Sequence, residues 1–251
     1  MNVVIPAVGV GKRFVDAGYG EPKPLIKVNG VPIIQHAIES LQIDGTYIFV
    51  VRKNDNSEEL RSIIADSVGN LSYTIVEAPK VTDGPVNSVL LAEGLIDNES
   101  ELVVANCDQR TDWDATAFIE YCRSVDYDGV VTTYPFDDII EGQKSPYSFI
   151  KIGASGSAVA LEEKFAISNL ALCGIHYWKH GNDFVRSAKS LIAHNDRTNN
   201  EFYVSKTYNY LIEEGKRIIN FPLSSGQFHS LGTPKDVELY LSSLLNANED
   251  V

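Results

Sequence analysis

Residues 2–14, Asn2-Val3-Val4-Ile5-Pro6-Ala7-Val8-Gly9-Val10-Gly11-Lys12-Arg13-Phe14, decide how the rest of the chain is read. A β-branched run passes directly into a loop whose glycines put no side chain between the backbone and a ligand. A strand followed by such a loop offers N–H groups that an anion can approach closely. Outward from this point, β-branched runs alternate with amphipathic stretches, the pattern of an α/β chain with a mainly parallel sheet and helices on its faces. Strands are expected at 2–6, 46–51, 72–77 and 101–105, with helices at 32–41, 57–66 and 86–95 between them. The unbroken run Tyr47-Ile48-Phe49-Val50-Val51 fits a strand covered on both faces. Pro32 suits a first helical turn, where its missing donor does no harm.

From residue 129 the pattern changes. Strands at 129–134, 147–152, 157–161 and 172–178 follow one another mostly without long helices, so they are expected to add antiparallel members to the sheet. Helices are expected at 183–194 and 204–214, then short strands at 217–221 and 228–231. A last helix opens after Thr233, with Pro234 in its first turn and Asp236 placed as in a capping box. No repeat or linker divides the chain.

The 251 residues are 44% apolar and 22% charged, an ordinary globular composition. A formal net charge of −13 argues against partners that demand a basic surface, so neither nucleic acid nor an anionic membrane is expected. No apolar stretch reaches the roughly 18 residues of a membrane span, and no leader is apparent. Cys107, Cys122 and Cys173 are odd in number and widely spaced, which suggests neither a disulfide framework nor a CxxC metal site. A cytoplasmic location is the expectation.

Within the first thirty residues the sign of the charge reverses: Lys12, Arg13, Lys23 and Lys27 stand against Asp16 and Glu21. That local excess suits a polyanionic ligand. A dinucleotide fingerprint would need a third glycine where Phe14 stands, and no GxxxxGK[ST] loop exists. A glycine-rich turn can simply be a turn, but Pro22 and Pro24 stiffen the backbone around Lys23, as befits a positioned cation. With GxGxRF followed by PKPL, the chain resembles the sugar-phosphate nucleotidyltransferases of the glucose-1-phosphate thymidylyltransferase and uridylyltransferase type, and the small-molecule cytidylyltransferases. The resemblance implies a Rossmann-like mixed, mainly parallel sheet flanked by helices, of the nucleotide-diphospho-sugar transferase (GT-A-like) kind. It implies one domain over 1–251, with a nucleotide-binding half to about residue 110 and an acceptor-binding half after it. It also implies that Ala7, Gly9, Gly11, Lys12 and Arg13 bind the triphosphate, and that Arg13 and Lys23 are catalytic, Lys23 lying near the α-phosphate.

Later motifs carry the resemblance further. Thr82-Asp83-Gly84-Pro85, leading into Ser88, resembles the loop that reads the base and gives Gly84, Pro85 and Ser88 to the nucleotide; read alone it is a capped helix start. Asn106-Cys107-Asp108 follows an apolar strand at its carboxyl end, where open α/β sheets bind ligands. A solvated turn aspartate is the alternative there, but the resemblance makes Asp108 a Mg²⁺ ligand. Glu162-Glu163-Lys164 and the following Ser168-Asn169-Leu170-Ala171, Gly174 and Tyr177 match EKP…SNxAxxGxY, with Phe165 in place of the proline. By resemblance Glu163, Lys164 and Asn169 touch the acceptor, although neighbouring charges are more often a solvated pair. Ser148 stands where relatives often have glycine, beside that acceptor. Leu231-Gly232-Thr233-Pro234 resembles DxGTP, but Ser230 replaces the second metal-binding aspartate. Mg²⁺ is then left to Asp108 with the triphosphate and water, or to a further side chain such as His229 or Glu201. Cys107 reads as buried packing.

The implied reaction transfers a nucleoside monophosphate from an NTP to a phosphorylated small molecule, first of all a sugar 1-phosphate. Pyrophosphate leaves, and the product serves as an activated precursor, as for surface polysaccharide. No general base is needed, because a phosphate monoester has its second pKa near 6. A CTP-dependent enzyme acting on phosphocholine or a phosphorylated amino-acid derivative is the near alternative. A GT-A glycosyltransferase, with Asn106-Cys107-Asp108 for DxD, and a non-catalytic nucleotide-binding subunit are the distant ones. The expected partners are the NTP and its acceptor, and relatives' habit of forming dimers or tetramers leaves room for a homo-oligomer.

Overall fold

The computed structural model describes residues 1–55, 57–124 and 126–249. In chain order the elements are β1 (Asn2–Ala7), α1 (Lys12–Asp16), β2 (Lys27–Val28), β3 (Val31–Pro32), α2 (Ile33–Leu41), β4 (Thr46–Arg52), α3 (Glu58–Val68), β5 (Tyr73–Ala78), α4 (Pro85–Leu90) and α5 (Glu93–Ile96). There follow β6 (Leu102–Ala105), β7 (Gln109–Thr111), α6 (Ala115–Ser124), β8 (Gly129–Pro135), β9 (Lys144–Ile152), β10 (Ala158–Phe165), β11 (Leu170–Trp178), α7 (Gly181–Ala193), α8 (Thr207–Glu213), β12 (Ile218–Pro222), β13 (Phe228–Ser230) and α9 (Pro234–Glu249).

Among the described residues one nine-stranded sheet runs β10-β9-β11-β6-β1-β4-β5, with β8 paired to β11 and β12 paired to β8. β1 pairs in parallel with both β4 and β6, and β4 with β5. β11 lies antiparallel to β6, β8 and β9, and β9 to β10, so the later strands enter with the reverse sense, as expected. Strand alternation divides the core. Val4, Ile48, Val50 and Val104 face α4, α7 and α8, whereas Val3, Ile5, Phe49, Val51 and Val103 face α2, α3 and α6. Each such buried aliphatic side chain contributes about 1.5–3 kcal/mol, which fixes β1 at the centre of the sheet and with it the loop that follows.

Four expectations change. The helix expected over 86–95 is two pieces, because Leu91 and Ala92 donate to Ser88 and Val89, three residues back, rather than four. That tightening turns Ala92 and Ile96 into the core and leaves Leu91 and Leu95 exposed. Pro32 caps α2 from an extended conformation instead of lying within its first turn. α6 arises in a stretch without an obvious apolar run, because Ala115, Phe118 and Cys122 suffice for one buried stripe and Asp114 accepts from the Ala117 amide. β10 runs on to Phe165, carrying Glu163 and Lys164 on a strand.

Candidate active site

The carboxyl ends of β1 and β6 open onto a cleft of about 630 Å³, with a smaller recess of about 180 Å³ against the glycine loop. Ala7, Gly9, Gly11, Lys23, Pro85 and Asp108 all border the recess. Gly11 is needed on two counts. Its φ of 65° lies in the left-handed region, and a Cβ there would stand 2.7 Å from Lys23 Cβ. The loop therefore packs directly on the lysine, whose ammonium pairs with Asp108 at the end of β6. Phe14, fully buried in α1, puts its ring 5.9 Å from the same ammonium. Burial would lower the Lys23 pKa, but Asp108 outweighs it and holds the group above the usual lysine value, fully charged at neutral pH.

Arg13 projects into the main cleft from the first turn of α1. Lys12, one residue earlier, points away and pairs with Asp16, four residues on, both well exposed. In the ligand-free chain it forms a solvated helix pair. Gly84 carries a constraint of the fold itself. At φ 110° its Cβ would fall 2.6 Å from the Phe202 amide nitrogen, so its role in the ligand-free fold is to let the 198–206 segment pack against α4. Phe202 donates to Asp83 and accepts from Val86. That docking brings Tyr203 and Ser205 to the cleft wall, residues that nothing in the sequence marked. Ser88 is buried against Thr82, with 2.7 Å between hydroxyls, whereas Pro85 does face the cleft.

The opposite wall comes from β9 and β10. Ser148 and Glu163 are directly paired across the two strands, and the ladder slips between Glu163 and Phe165, with Lys164 at φ 60°. Neighbours on a regular strand face opposite sides, but this bulge turns both Glu163 and Lys164 toward the cleft. Glu163 is 5% exposed. Its Oε1 accepts from Ser148 Oγ at 2.5 Å and from Ser205 Oγ, while Oε2 has no partner. Burial raises its pKa from the usual carboxylate value, against the two hydroxyl bonds. Burial likewise lowers that of Lys164, whose ammonium lies 5.4 Å over the Tyr203 ring.

Asn169 is not brought to this wall. Ser168 Oγ donates to Ile150 O and accepts from the Leu170 amide, a local turn that sends Asn169 outward to Asp137 at 3.4 Å. His176 was not foreseen: fully buried at the cleft floor, it is driven down to about pH 3 by burial and is a neutral ring. Desolvation, with the Asp108 charge next to it, pushes the thiol of the partly buried Cys107 up to about 12 and favours its neutral form at neutral pH.

Around the missing aspartate, Ser230 Oγ donates to Asp236 Oδ2 at 3.1 Å, and Thr233 and Asp236 form the reciprocal cap of α9. His229 is engaged with Asp112 at 3.2 Å and Glu201 with Tyr203 at 2.7 Å, so neither replaces a ligand beside Asp108. Among the described residues no three His, Cys, Asp or Glu side chains form a metal cage. The donors that do line the cleft at this point, the Asp108 and Asp236 carboxylates and the Ser230 hydroxyl, are hard oxygen ligands. They suit a Mg²⁺ that completes its shell with substrate phosphates.

The family model for nucleotidyl transferase (NTP_transferase) matches residues 2–242. The chain belongs to the nucleotidyl transferase family. It is 28% identical over 156 residues to the bifunctional protein GlmU of Methanocaldococcus jannaschii, covering 58% of this chain and 36% of that one. With the bifunctional protein GlmU of Methanococcus vannielii it shares 26% identity over 237 residues, 94% of this chain and 53% of the other. The chain thus spans about half, or less, of the curated relatives it matches. Among solved structures it resembles a nucleoside-diphosphate-sugar pyrophosphorylase from Vibrio cholerae RC9, with a TM-score of 0.79, 22% identity, and 96% and 99% of the two chains covered. It also resembles a putative glucose-1-phosphate thymidylyltransferase from Bacillus anthracis, with a TM-score of 0.75, 19% identity, and 95% and 92% covered. The inositol-1-phosphate CTP transferase of T. maritima gives 0.71 at 16% identity, with 94% and 90% covered. These likenesses establish the fold of this nucleotidyltransferase, a mixed sheet flanked by helices. No helix of its described residues is long and apolar enough to cross a membrane.

Proposed function

We propose that this nucleotidyltransferase moves a nucleoside monophosphate from an NTP onto a phosphorylated small molecule, a sugar 1-phosphate before other acceptors. The product is an activated precursor of the kind used in polysaccharide assembly. The observation that carries the reading is Lys23, wedged between the Gly11 loop and Asp108 where the recess meets the main cleft. An ammonium there can neutralise two anions brought together from either side, which is the main obstacle when two phosphates react. An oxygen of the acceptor phosphate attacks the α-phosphorus, a new P–O bond forms, the bond to the β-phosphate bridge breaks, and pyrophosphate leaves with its electrons. Arg13 and the loop amides take charge on the β- and γ-phosphates. Asp108 would hold Mg²⁺, which supplies Lewis-acid stabilisation of the phosphoryl oxygens. Glu163 and Lys164 take the acceptor.

A second acceptor class has an observation in its favour. Tyr134, Phe136, Tyr147 and Phe228 wall an annex of about 240 Å³ that shares Tyr147 and Phe228 with the main cleft. Aromatic faces of this kind suit an amine or quaternary ammonium better than a sugar ring's hydroxyls, as in a CTP-dependent enzyme that uses phosphocholine or a phosphorylated amino-acid derivative. Pyrophosphate release with Mg²⁺, across the four ribonucleoside triphosphates and dTTP and a panel of sugar 1-phosphates and phosphorylated amines, tests both. Release that requires one NTP and one sugar 1-phosphate supports the first reading and release with an amine the second. Silence on every pair, with nucleotide bound, would defeat them.

A further inference from the structure

On β11, His176 is paired with Val104 of β6 on one side and Val131 of β8 on the other, so an imidazole stands where the sheet is otherwise apolar. The residue is 6% exposed and lines the main cleft. Nδ1 is enclosed and has no hydrogen-bond partner among the described residues. Nε2, which is not enclosed, is the nitrogen that meets the cleft. Glu163 Oε2 is a second buried, unmatched atom on the same lining. One short segment holds both groups in place. Ser205 donates to Glu163 Oε1, and Tyr208 sets its ring 5.9 Å from that of His176, at 26° between planes. The Tyr208 amide donates to Ser205 O, so the two supports share a single turn. Gln109 Oε1, also buried and unmatched, is tucked against Gly174 instead. Unmatched polar atoms at a cleft floor carry a cost that a ligand of the right hydrogen-bonding pattern removes.

The pattern follows from where the protons sit. Burial keeps the His176 ring neutral, so one nitrogen carries a hydrogen and the other a lone pair. An enclosed N–H without an acceptor is the costlier orphan of the two, which assigns the hydrogen to Nε2. The floor of the cleft then presents a donor, His176 Nε2–H, and an acceptor, Glu163 Oε2. We infer that His176 selects an acceptor substrate that carries a hydroxyl group: the hydroxyl oxygen accepts from Nε2–H, and its proton, or that of a neighbouring hydroxyl, is donated to Glu163 Oε2. The inference rests on the reading of Glu163 as an acceptor-binding residue. A hydroxyl both donates and accepts, and so matches the two atoms together. An ammonium can satisfy Glu163 but has no lone pair for Nε2–H, and a quaternary ammonium has neither a proton nor a lone pair to offer. The floor therefore favours sugar 1-phosphates over phosphorylated amines.

Nitrogen-15 NMR of the native chain, saturated with a non-hydrolysable NTP analogue and Mg²⁺, reads the imidazole directly. His176 should be neutral with its hydrogen on Nε2, and adding glucose 1-phosphate, galactose 1-phosphate or N-acetylglucosamine 1-phosphate should shift the Nε2 resonance, whereas phosphocholine should not. A hydrogen on Nδ1, or an Nε2 resonance that none of the sugar phosphates moves, would overturn the inference, and neither result depends on a variant that folds. In pyrophosphate release, His176→Phe keeps a ring and loses both nitrogens. It should raise the KM of the sugar 1-phosphate about tenfold or more and leave the NTP KM within about twofold. His176→Gln, which keeps an N–H donor, should recover most of that loss. Equal rises in both KM values, or no recovery with His176→Gln, would make His176 a packing residue and overturn the inference. Turnover with phosphocholine and with no sugar 1-phosphate would also overturn it, while the nucleotidyl-transfer reading stood. No pyrophosphate from any pair would defeat that reading instead, and the Nε2 shift with a sugar 1-phosphate would still decide the role of His176.

Discussion

At the glycine-loop end of the cleft a cation is balanced by a formal charge, Lys23 against Asp108. At the β10 end a carboxylate, Glu163, is buried with two neutral hydroxyls on one oxygen and nothing on the other. The first arrangement is electrostatically complete without substrate, so bringing in phosphates means exchanging partners on Lys23. The second is incomplete, and a ligand that donates a hydrogen bond to Glu163 relieves a standing cost of about 1–3 kcal/mol. The difference teaches that the two ends should respond differently to mutation: changes at Lys23 should act on turnover, and changes around Glu163 on acceptor recognition.

The sharpest way to break this contrast is at Lys23. Lys23→Ala should cut kcat by about 10²–10³ while NTP affinity, measured by calorimetry, changes less than tenfold. Comparable losses in both would make Lys23 a nucleotide-binding residue only. Gly11→Ala probes the same end through the backbone. A left-handed φ and a contact with Lys23 Cβ together cost about 1–3 kcal/mol, so both melting temperature and kcat should fall. At the other end, Ser205→Ala leaves Glu163 with Ser148 alone and should raise the acceptor KM by about tenfold with the NTP KM unmoved.

His176 provides a smaller test, of the floor that both ends share. Its pKa in the folded chain, about 3, lies below the ordinary value of 6.5, so the unfolded state takes up the proton first as pH drops. The stability tied to its neutral form is complete above pH 6.5 and is lost as pH falls toward 3, by up to about 1.4 kcal/mol per pH unit. His176→Phe, which retains a ring against Trp178 and Tyr208, should flatten that part of the melting-temperature profile. The smallest effect is expected at Asn169, exposed and turned toward Asp137. Asn169→Ala should change acceptor KM less than twofold, and a tenfold change would place the residue at the acceptor after all.

The same contrast governs what could be read before the structure. The glycine-loop end is written locally, as β1, the loop and Pro22-Lys23-Pro24, and hydrophobic run, glycine and proline each carry their geometry with them. Asp108 was legible for the same reason, as the polar end of an apolar strand. The β10 end depends on non-local events. A bulge at Lys164 turns Glu163 and Lys164 to one side, and Gly84 admits Phe202 so that Tyr203 and Ser205 arrive from a distant segment. The motif around Asn169 specifies a turn, and the side chain's direction, outward to Asp137, is set by that turn rather than by the motif. Lys12, beside the glycine loop, has a competing partner in Asp16 one helical turn away. Asp236 was visible as a cap, but only the fold of the turn before α9 shows which oxygens it faces.

The most direct test of the proposed chemistry is transfer from an unlabelled NTP to an acceptor carrying ¹⁸O in its phosphate, followed by mass spectrometry of both products. Attack by the acceptor phosphate predicts that every labelled oxygen is retained in the nucleotide-linked product and that the pyrophosphate is unlabelled. Label appearing in pyrophosphate, or labelled orthophosphate released from the acceptor, would contradict the account.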